Sequence, residues 1–156
     1  MANAGSANAD VRLFQLKNNA NRFNQCLTPQ GGGTTNGTVV TLWDCIPYSS
    51  SMNEKYPQLW AWDDKARTLR HVASNKCLTP KGGASGTNGA VLTLWTCDQG
   101  GESSQKWAIG DDPRTISTLW GSKCITAKGG SVNPGVWATL WSCNTTGTGS
   151  QNWYLE

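Results

Sequence analysis

One segment occurs three times along this chain, with a period of roughly 47 to 51 residues, and it constrains the fold more than any other feature. Each copy opens on Cys-Leu-Thr or Cys-Ile-Thr, passes through Thr-Leu-Trp-x-Cys and closes on Gln-x-Trp. One copy is too short to bury its own apolar face, so three copies must pack around a shared axis. We place the repeats at about residues 10–62, 63–109 and 110–156 and interpret residues 1–156 as a single domain.

The local patterns are typical of β-strands. The run Val40-Thr41-Leu42-Trp43 alternates apolar and polar positions with a period of two, and no helical spacing is sustained anywhere. Asn36-Gly37 lies between two such runs, which predicts a hairpin with a type I′ turn. Further turns are predicted at Asp63-Asp64 and at Asp111-Asp112-Pro113. About four strands per repeat, or roughly twelve in all, predict an all-β fold built as a small closed barrel.

The six cysteines fall into one pair per repeat. Keeping the three repeats equivalent favours the bridges Cys26–Cys45, Cys77–Cys97 and Cys124–Cys143. In the chain-entropy model a bridge across a loop of this length stabilises the fold by about 3 kcal/mol. Zinc is a weaker interpretation, because there is no Cys-x-x-Cys spacing and His71 is the single histidine.

Charge, apolar runs and cysteine content indicate which partners and which compartment are expected for this chain. The net charge is +3, and the basic residues are scattered, which argues against a nucleic acid partner. No apolar run is long enough to span a membrane, and the start of this chain does not predict a signal peptide, because it has no basic residue and no apolar run. Paired cysteines favour an oxidising compartment, so we expect a secreted protein. We expect a monomer or a weak oligomer.

The Cys-Leu entry, the Leu-Trp-x-Cys strand and the threefold Gln-x-Trp resemble the ricin B-chain lectin family over roughly residues 10 to 156. The resemblance implies a β-trefoil of three four-stranded repeats with pseudo-threefold symmetry. It also implies one shallow sugar site per repeat, with an aromatic platform from the Leu-Trp strand and an Asp two residues after the first Cys. Galactosides, GalNAc glycans or neutral wall polysaccharides are the expected ligands.

Only part of that site is present when the resemblance is carried over position by position. The aromatic platform is kept as Trp43, Trp95 and Trp141. Threonine replaces the family's Asp at Thr28, Thr79 and Thr126, and it also replaces a frequent Gln at Thr41, Thr93 and Thr139. The Asn before Gln-x-Trp is replaced by Pro57, Ser104 and Ser150, and repeat one has five additional residues within 46–57. These departures put galactose in doubt as the ligand.

Strand alternation supports the platform without the family. If Leu42, Leu94 and Leu140 face the barrel, the tryptophan after each leucine faces outward. Exposed flat rings suit the apolar faces of pyranoses, although such rings can also simply cover the hairpin loops. Repeat three adds Trp137 where the other repeats have Val39 and Val91. This makes repeat three, with Trp141, Trp137, Thr126 and Thr139, the strongest candidate for a single site.

Other residues receive structural interpretations. Trp60, Trp107 and Trp153 are assigned to the core, and Trp62 and Trp120 to packing. The glutamines of the closing motifs, Gln58, Gln105 and Gln151, are expected to brace the backbone. Lys81 and Lys128 are expected to be solvated at the pocket rims. The threonines after the first cysteine suit both a sugar contact and a turn cap.

Catalysis is not expected. His71 is interpreted as a surface or edge residue, and the cysteines are committed to bridges, so no catalytic triad can be assembled. The adjacent carboxylates Asp63-Asp64 and Asp111-Asp112 fit solvated turns better than a glycosidase pair. No cofactor and no metal are predicted.

Three functions remain open from the sequence. The first is a free-standing lectin with up to three shallow sites that gain by avidity. The second is a carbohydrate-binding module cut from a larger enzyme. The third is a sugar-inactive trefoil that acts through protein–protein contacts, as a secreted effector or a hydrolase inhibitor, and the missing Asp keeps this alternative open.

Overall fold

The computed structural model of the chain describes residues 11–47, 49–98, 104–110, 114–144 and 149–156, and the fold is all-β with a single short α-helix among them. The predicted turn at Asp111-Asp112-Pro113 lies outside these residues. The first repeat contains β1 (Val11–Phe14), β2 (Leu16–Asn18), β3 (Gln25–Pro29), β4 (Val40–Asp44), α1 (Met52–Lys55) and β5 (Trp60–Asp63).

The second repeat contains β6 (Thr68–His71), β7 (Lys76–Pro80), β8 (Leu92–Trp95) and β9 (Trp107–Ile109). The third contains β10 (Ile116–Thr118), β11 (Lys123–Ala127), β12 (Val136–Ser142) and β13 (Trp153–Leu155). Short 3₁₀ turns occupy Asn19–Asn21, Gln30–Gly32, Tyr56–Gln58, Lys81–Gly83, Lys128–Gly130 and Gly149–Gln151. The prediction of about four strands per repeat is confirmed, with the first strand of repeat one divided at Gln15 into β1 and β2.

The first and last strands of the repeats form a closed barrel. Antiparallel pairs join β1 to β5, β5 to β6, β9 to β10 and β13 to β2. Two backbone hydrogen bonds complete the ring, from Trp107 N–H to Arg67 C=O and from Trp153 N–H to Arg114 C=O. Closure removes free strand edges that could pair with another chain.

The middle strands form three antiparallel hairpins, β3–β4, β7–β8 and β11–β12, which cap one end of the barrel. The hairpins are joined in a ring by the β4–β12 pair and by bridges from Val39 to Thr93 and from Val91 to Thr139. Barrel and cap together are the predicted β-trefoil with threefold pseudosymmetry.

The core lies along the threefold axis and repeats the same residues from each unit. Leu42, Leu94 and Leu140 are fully buried, as the strand alternation predicted. The tryptophans of the Gln-x-Trp motifs are buried as expected, and each indole N–H donates to a backbone carbonyl of the preceding hairpin, at Leu27, Leu78 or Ile125. The polar end of each large ring is therefore satisfied inside the core.

The predicted type I′ turn at Asn36-Gly37 is wrong, although β3 and β4 do pair as a hairpin. Gly37 has a φ of 90° but Asn36 does not have the positive φ that a type I′ turn requires at both positions. The connection is longer than two residues, because a 3₁₀ turn at Gln30–Gly32 precedes it. Gly37 N–H instead donates to Leu94 C=O of the next repeat.

All three predicted disulfides are present, and each joins the start of one hairpin strand to the end of its partner. The Cα–Cα distance is 5.0 Å in the bridges Cys26–Cys45, Cys77–Cys97 and Cys124–Cys143. The additional residues of repeat one form α1, where Ser51 and Glu54 make a capping box, followed by the Tyr56–Gln58 turn.

The interpretation of His71 as a surface or edge residue is wrong, because the side chain is 1% exposed. Its ring packs against Trp60 with 5.1 Å between centroids. Its Nε2 lies 2.9 Å from Pro57 C=O, which can only accept, so Nε2 carries the proton. Nδ1 then accepts from Ser74 Oγ at 2.9 Å. His71 thus holds the additional segment of repeat one against the barrel.

The two tryptophans assigned to packing differ in their outcome. Trp62 is buried on β5, as predicted. Trp120 is 69% exposed in the turn between β10 and β11, so its assignment to packing is wrong. The predicted turn at Asp63-Asp64 is confirmed, and Asp63 Oδ1 accepts hydrogen bonds from the N–H groups of Lys65 and Ala66.

Acid should destabilise the fold through His71. Burial lowers the pKa of His71 below its ordinary value of 6.5, so below that pH the unfolded chain binds more protons than the folded one. We expect the free energy of unfolding to fall as the pH is lowered through this range, by at most about 1.4 kcal/mol per pH unit. Urea titrations at a series of pH values measure it. This pH dependence should disappear in His71→Gln. An equal slope of the free energy of unfolding against pH in the variant and in the unaltered chain would show that His71 is not its source.

Candidate functional site

Three shallow pockets lie at equivalent places, one on each hairpin. Their volumes are about 280, 590 and 290 Å³ in repeats one, two and three. Each is lined by two threonines, by the glycine turn after the second strand of the repeat, and by the tryptophan of the Leu-Trp strand. The structure therefore groups the predicted residues as Thr28, Thr41 and Trp43, as Thr79, Thr93 and Trp95, and as Thr126, Thr139 and Trp141.

The platform tryptophans point outward while their neighbouring leucines are buried. Trp43, Trp95 and Trp141 are 52, 50 and 52% exposed. One edge of each ring rests on a turn of another repeat, where Cζ3 lies 3.2 to 4.0 Å from the position of a Cβ on Gly135, Gly37 or Gly89. Those glycines have φ values near 90°, so a larger residue there would be strained, and at Gly135 it would also press on the ring. Each platform is consequently held by two repeats.

The threonines are internally hydrogen-bonded. In repeat two, Thr79 Oγ1 donates to Cys77 C=O at 2.8 Å, and Thr93 Oγ1 donates to Thr79 C=O at 3.0 Å. The same bonds recur at the other four positions, Thr28, Thr41, Thr126 and Thr139. Because each hydroxyl proton is already used, the threonines can only accept hydrogen bonds from a ligand, and they offer their methyl groups as apolar contact.

The glutamine of each closing motif braces the pocket from behind, as expected. Gln105 Nε2 donates to Thr79 Oγ1 at 3.0 Å and to Thr96 C=O at 2.9 Å. Its Oε1 accepts from Asp98 N–H at 2.7 Å. Gln58 and Gln151 make the same three bonds. These side chains are buried and use their amide groups on the protein itself.

The Asn-Gly turns support the pocket of the next repeat, a role that the sequence did not reveal. Asn36 Oδ1 accepts from Thr96 N–H at 2.9 Å, and Ser142 Oγ donates to Asn88 Oδ1 at 3.2 Å. Thr96 and Ser142 directly follow the platform tryptophans of repeats two and three. In repeat three the residue before the turn glycine is Pro134, which has no side-chain group for such a bond.

The lining residues that were not among the predicted sugar-binding residues include four polar ones at two equivalent positions of the motif. Asp98 and Ser104 line the pocket of repeat two, and Asn144 and Ser150 line that of repeat three. They occupy the position after the second cysteine and the position before the glutamine, so their place in the motif was the available signal. Asp98 is the one titratable side chain among the lining residues that the structure describes for the three pockets.

Trp137 is not among the residues that line the pocket of repeat three. On β12 it pairs with Thr41 of β4, which lines the pocket of repeat one. The Lys128 ammonium, expected to be solvated at the rim, lies 4.9 Å from the centre of the Trp137 ring in a cation–π contact.

The described parts of the chain offer little for a metal. They contain no group of three or more His, Cys, Asp or Glu side chains that could hold an ion. No helix found in these parts is long and apolar enough to cross a membrane.

Comparison with known proteins agrees with the geometry. The family model described as ricin-type beta-trefoil lectin domain matches residues 12–153. The chain belongs to this lectin family. Membership supports carbohydrate binding in general, and the resemblance inferred from the sequence is confirmed. No curated protein sequence matches the chain.

Solved structures share the fold at low sequence identity. The designed threefold symmetric protein ThreeFoil is 19% identical with a TM-score of 0.75, over 92% of this chain and 96% of that one. The earthworm R-type lectin C-half in complex with GalNAc is 15% identical with a TM-score of 0.71, over 93 and 98%. An exo-β-1,3-galactanase from Clostridium thermocellum is 23% identical with a TM-score of 0.74, over 92% of this chain but 29% of the enzyme. The chain therefore matches nearly the whole of the designed protein and of the lectin C-half, but only a part of the enzyme.

Removing the brace should destabilise the lectin domain. Gln105→Ala leaves Asp98 N–H and Thr96 C=O without their buried partner, so we expect the free energy of unfolding to fall by about 2 to 3 kcal/mol. Denaturant titration without reductant measures the change. Ser104→Ala, one residue earlier, is the matched control and should change stability by less than about 0.5 kcal/mol. Equal losses in both variants would show that the glutamine is not a brace.

Proposed function

We propose that this lectin domain is a non-catalytic carbohydrate-binding protein with up to three shallow sites, one on each hairpin. The observation that carries the proposal is the threefold recurrence of a half-exposed tryptophan beside two threonines. The ring supplies a flat apolar surface for one face of a pyranose, and the threonine oxygens accept from its hydroxyls. We further propose that residues 1–156 form a single domain of three repeats.

The lining favours neutral sugars. In repeats one and three no charged side chain is among the described lining residues, and Asp98 adds one carboxylate in repeat two. A threonine oxygen can accept from a sugar hydroxyl as the family's Asp does, but it provides no charge, so each contact is weaker. Neutral wall polysaccharides with many equal units therefore fit better than a single terminal galactoside, because several weak sites gain by avidity.

A non-catalytic role fits the titratable groups near the pockets. Hydrolysis of a glycosidic bond ordinarily uses two carboxyl groups, and Asp98 is the one carboxylate among the described lining residues. His71 is buried and donates to Pro57 C=O, so it cannot act as a base at a pocket. Secretion also belongs to the proposal, and the three disulfides support an oxidising compartment.

A protein-binding trefoil is the second candidate. It is favoured by the loss of the family's Asp in all three repeats together with the internal use of every threonine proton. Three half-exposed rings would then serve as anchors for a protein surface. A glycan array with galactosides, GalNAc glycans and fungal and plant wall polysaccharides separates the two functions. A blank array with folded protein would select this second candidate.

The platform tryptophans should carry sugar binding. We expect each single variant, Trp43→Ala, Trp95→Ala and Trp141→Ala, to lower polysaccharide affinity, and the triple variant to lose about 100-fold or more, because avidity is lost together with the stacking surfaces. Affinity electrophoresis in gels with embedded wall polysaccharides measures the retardation.

The control is Trp120→Ala, which removes an equally large and more exposed ring that lines none of the three pockets. It should bind as the unaltered chain does. If the triple variant is retarded as strongly as Trp120→Ala, the sugars are bound elsewhere.

A further inference from the structure

The first residues of β12, in repeat three, pair with strand β4 of repeat one. Val136 pairs with Leu42 and Trp137 pairs with Thr41, so β12 and β4 form a regular ladder. The corresponding contacts of the other repeats are single bridges, Val39 with Thr93 and Val91 with Thr139. At the three boundaries Trp137, Val39 and Val91 therefore occupy equivalent places, each beside the second pocket threonine of another repeat.

The pocket of repeat one includes this boundary. Gly135, two residues before Trp137, lines it together with Thr41 and Trp43, whereas the turn glycines Gly37 and Gly89 are not among the lining residues of the other two pockets. Directly paired residues on antiparallel strands project from the same face. Trp137 therefore stands at the side of the repeat-one pocket, beyond Thr41.

Part of the Trp137 side chain is also accessible to a ligand. The ring is 39% exposed, and the Lys128 ammonium lies over it at 4.9 Å from its centre. The exposed part of the ring gives a ligand an apolar surface. Trp43 is the diagonal neighbour of Trp137 on β4, at a backbone distance of about 7 to 8 Å. That spacing is wider than one pyranose, so two rings so placed suit consecutive units of a chain.

We propose that Trp137, although it belongs to the third repeat, is a specificity-determining residue of the first repeat's pocket. Together with Trp43 it makes a two-ring cleft over Thr28 and Thr41 that binds two or more linked neutral sugars. The pockets of repeats two and three, which have Val39 and Val91 at this place, bind a single unit. The inference rests on the proposed carbohydrate-binding function and adds a chain-length preference to one of its sites.

The test isolates single pockets. Trp95→Ala with Trp141→Ala leaves the repeat-one pocket, and Trp43→Ala with Trp95→Ala leaves the repeat-three pocket. Each background is combined with Trp137→Val, which introduces the residue that the other repeats carry. Indole N–H resonances are followed by NMR during titration with oligosaccharides of one to six units of β-1,3-glucan, β-1,4-xylan and β-1,3-galactan. Thermal melts verify that every variant is folded.

We expect Trp137→Val to weaken binding of trisaccharides and longer chains about tenfold in the repeat-one background, and to leave monosaccharides unchanged. In the repeat-three background it should change nothing. A converse variant, Val39→Trp beside Thr93, should add the same length preference to the repeat-two pocket when Trp43 and Trp141 are replaced by alanine.

Other results overturn the inference in distinguishable ways. A loss confined to the repeat-three background would assign Trp137 to its own repeat. Equal losses of affinity for oligosaccharides of one and of six units would contradict the two-ring cleft but would leave the repeat-one pocket as a sugar site. Binding by the unaltered chain without any binding in the repeat-one background would show that this pocket is inactive. If the unaltered chain binds none of these oligosaccharides and no polysaccharide, the proposed function itself is overturned.

Discussion

The glutamine of each Gln-x-Trp motif joins the two strands of a hairpin to the barrel strand that begins two residues later. Gln105 does so with one buried amide, which bonds to Thr79 Oγ1, Thr96 C=O and Asp98 N–H. The adjoining Trp107 then fills the core and donates to Leu78 C=O. Each glutamine thereby fixes its hairpin relative to the following barrel strand. Because the motif occurs three times, it determines where all three pockets lie.

The hydrogen bonds of this glutamine also limit the hydrogen bonds that a pocket can offer to a ligand. A threonine that must donate to Cys77 C=O and accept from Gln105 Nε2 has one remaining lone pair for a ligand. Residues that stabilise the hairpin are therefore also the floor of the pocket, and binding strength is limited by their internal bonds. The rings above them are less constrained, since half of each ring is open to solvent. The pockets of repeats two and three accordingly differ at the rim, where Asp98 in repeat two corresponds to Asn144 in repeat three.

Much of this arrangement could be predicted from the sequence, because alternation and repetition report on burial directly. Leu42 beside Trp43 indicated which side chain faces inward, and the repeats paired the cysteines. Features that depend on another repeat could not be predicted in this way. Asn36 indicated a local hairpin turn, but its side chain bonds to Thr96, sixty positions along the chain. Trp137 is predicted to belong to the pocket of its own repeat, and its pairing with Thr41 of repeat one is not visible in the sequence. The prediction of a surface position for His71 is wrong because nothing local to it in the sequence indicates its contact with Pro57, among the additional residues of repeat one.

Each platform ring rests on the turn glycine of a different repeat, with Trp95 on Gly37, Trp141 on Gly89 and Trp43 on Gly135. A repeat therefore supplies the platform ring of its own pocket, but another repeat supplies the surface that supports one edge of that ring. A single repeat on its own would lack the turn glycine against which its platform ring rests, so the position of the ring is a property of the assembled trefoil.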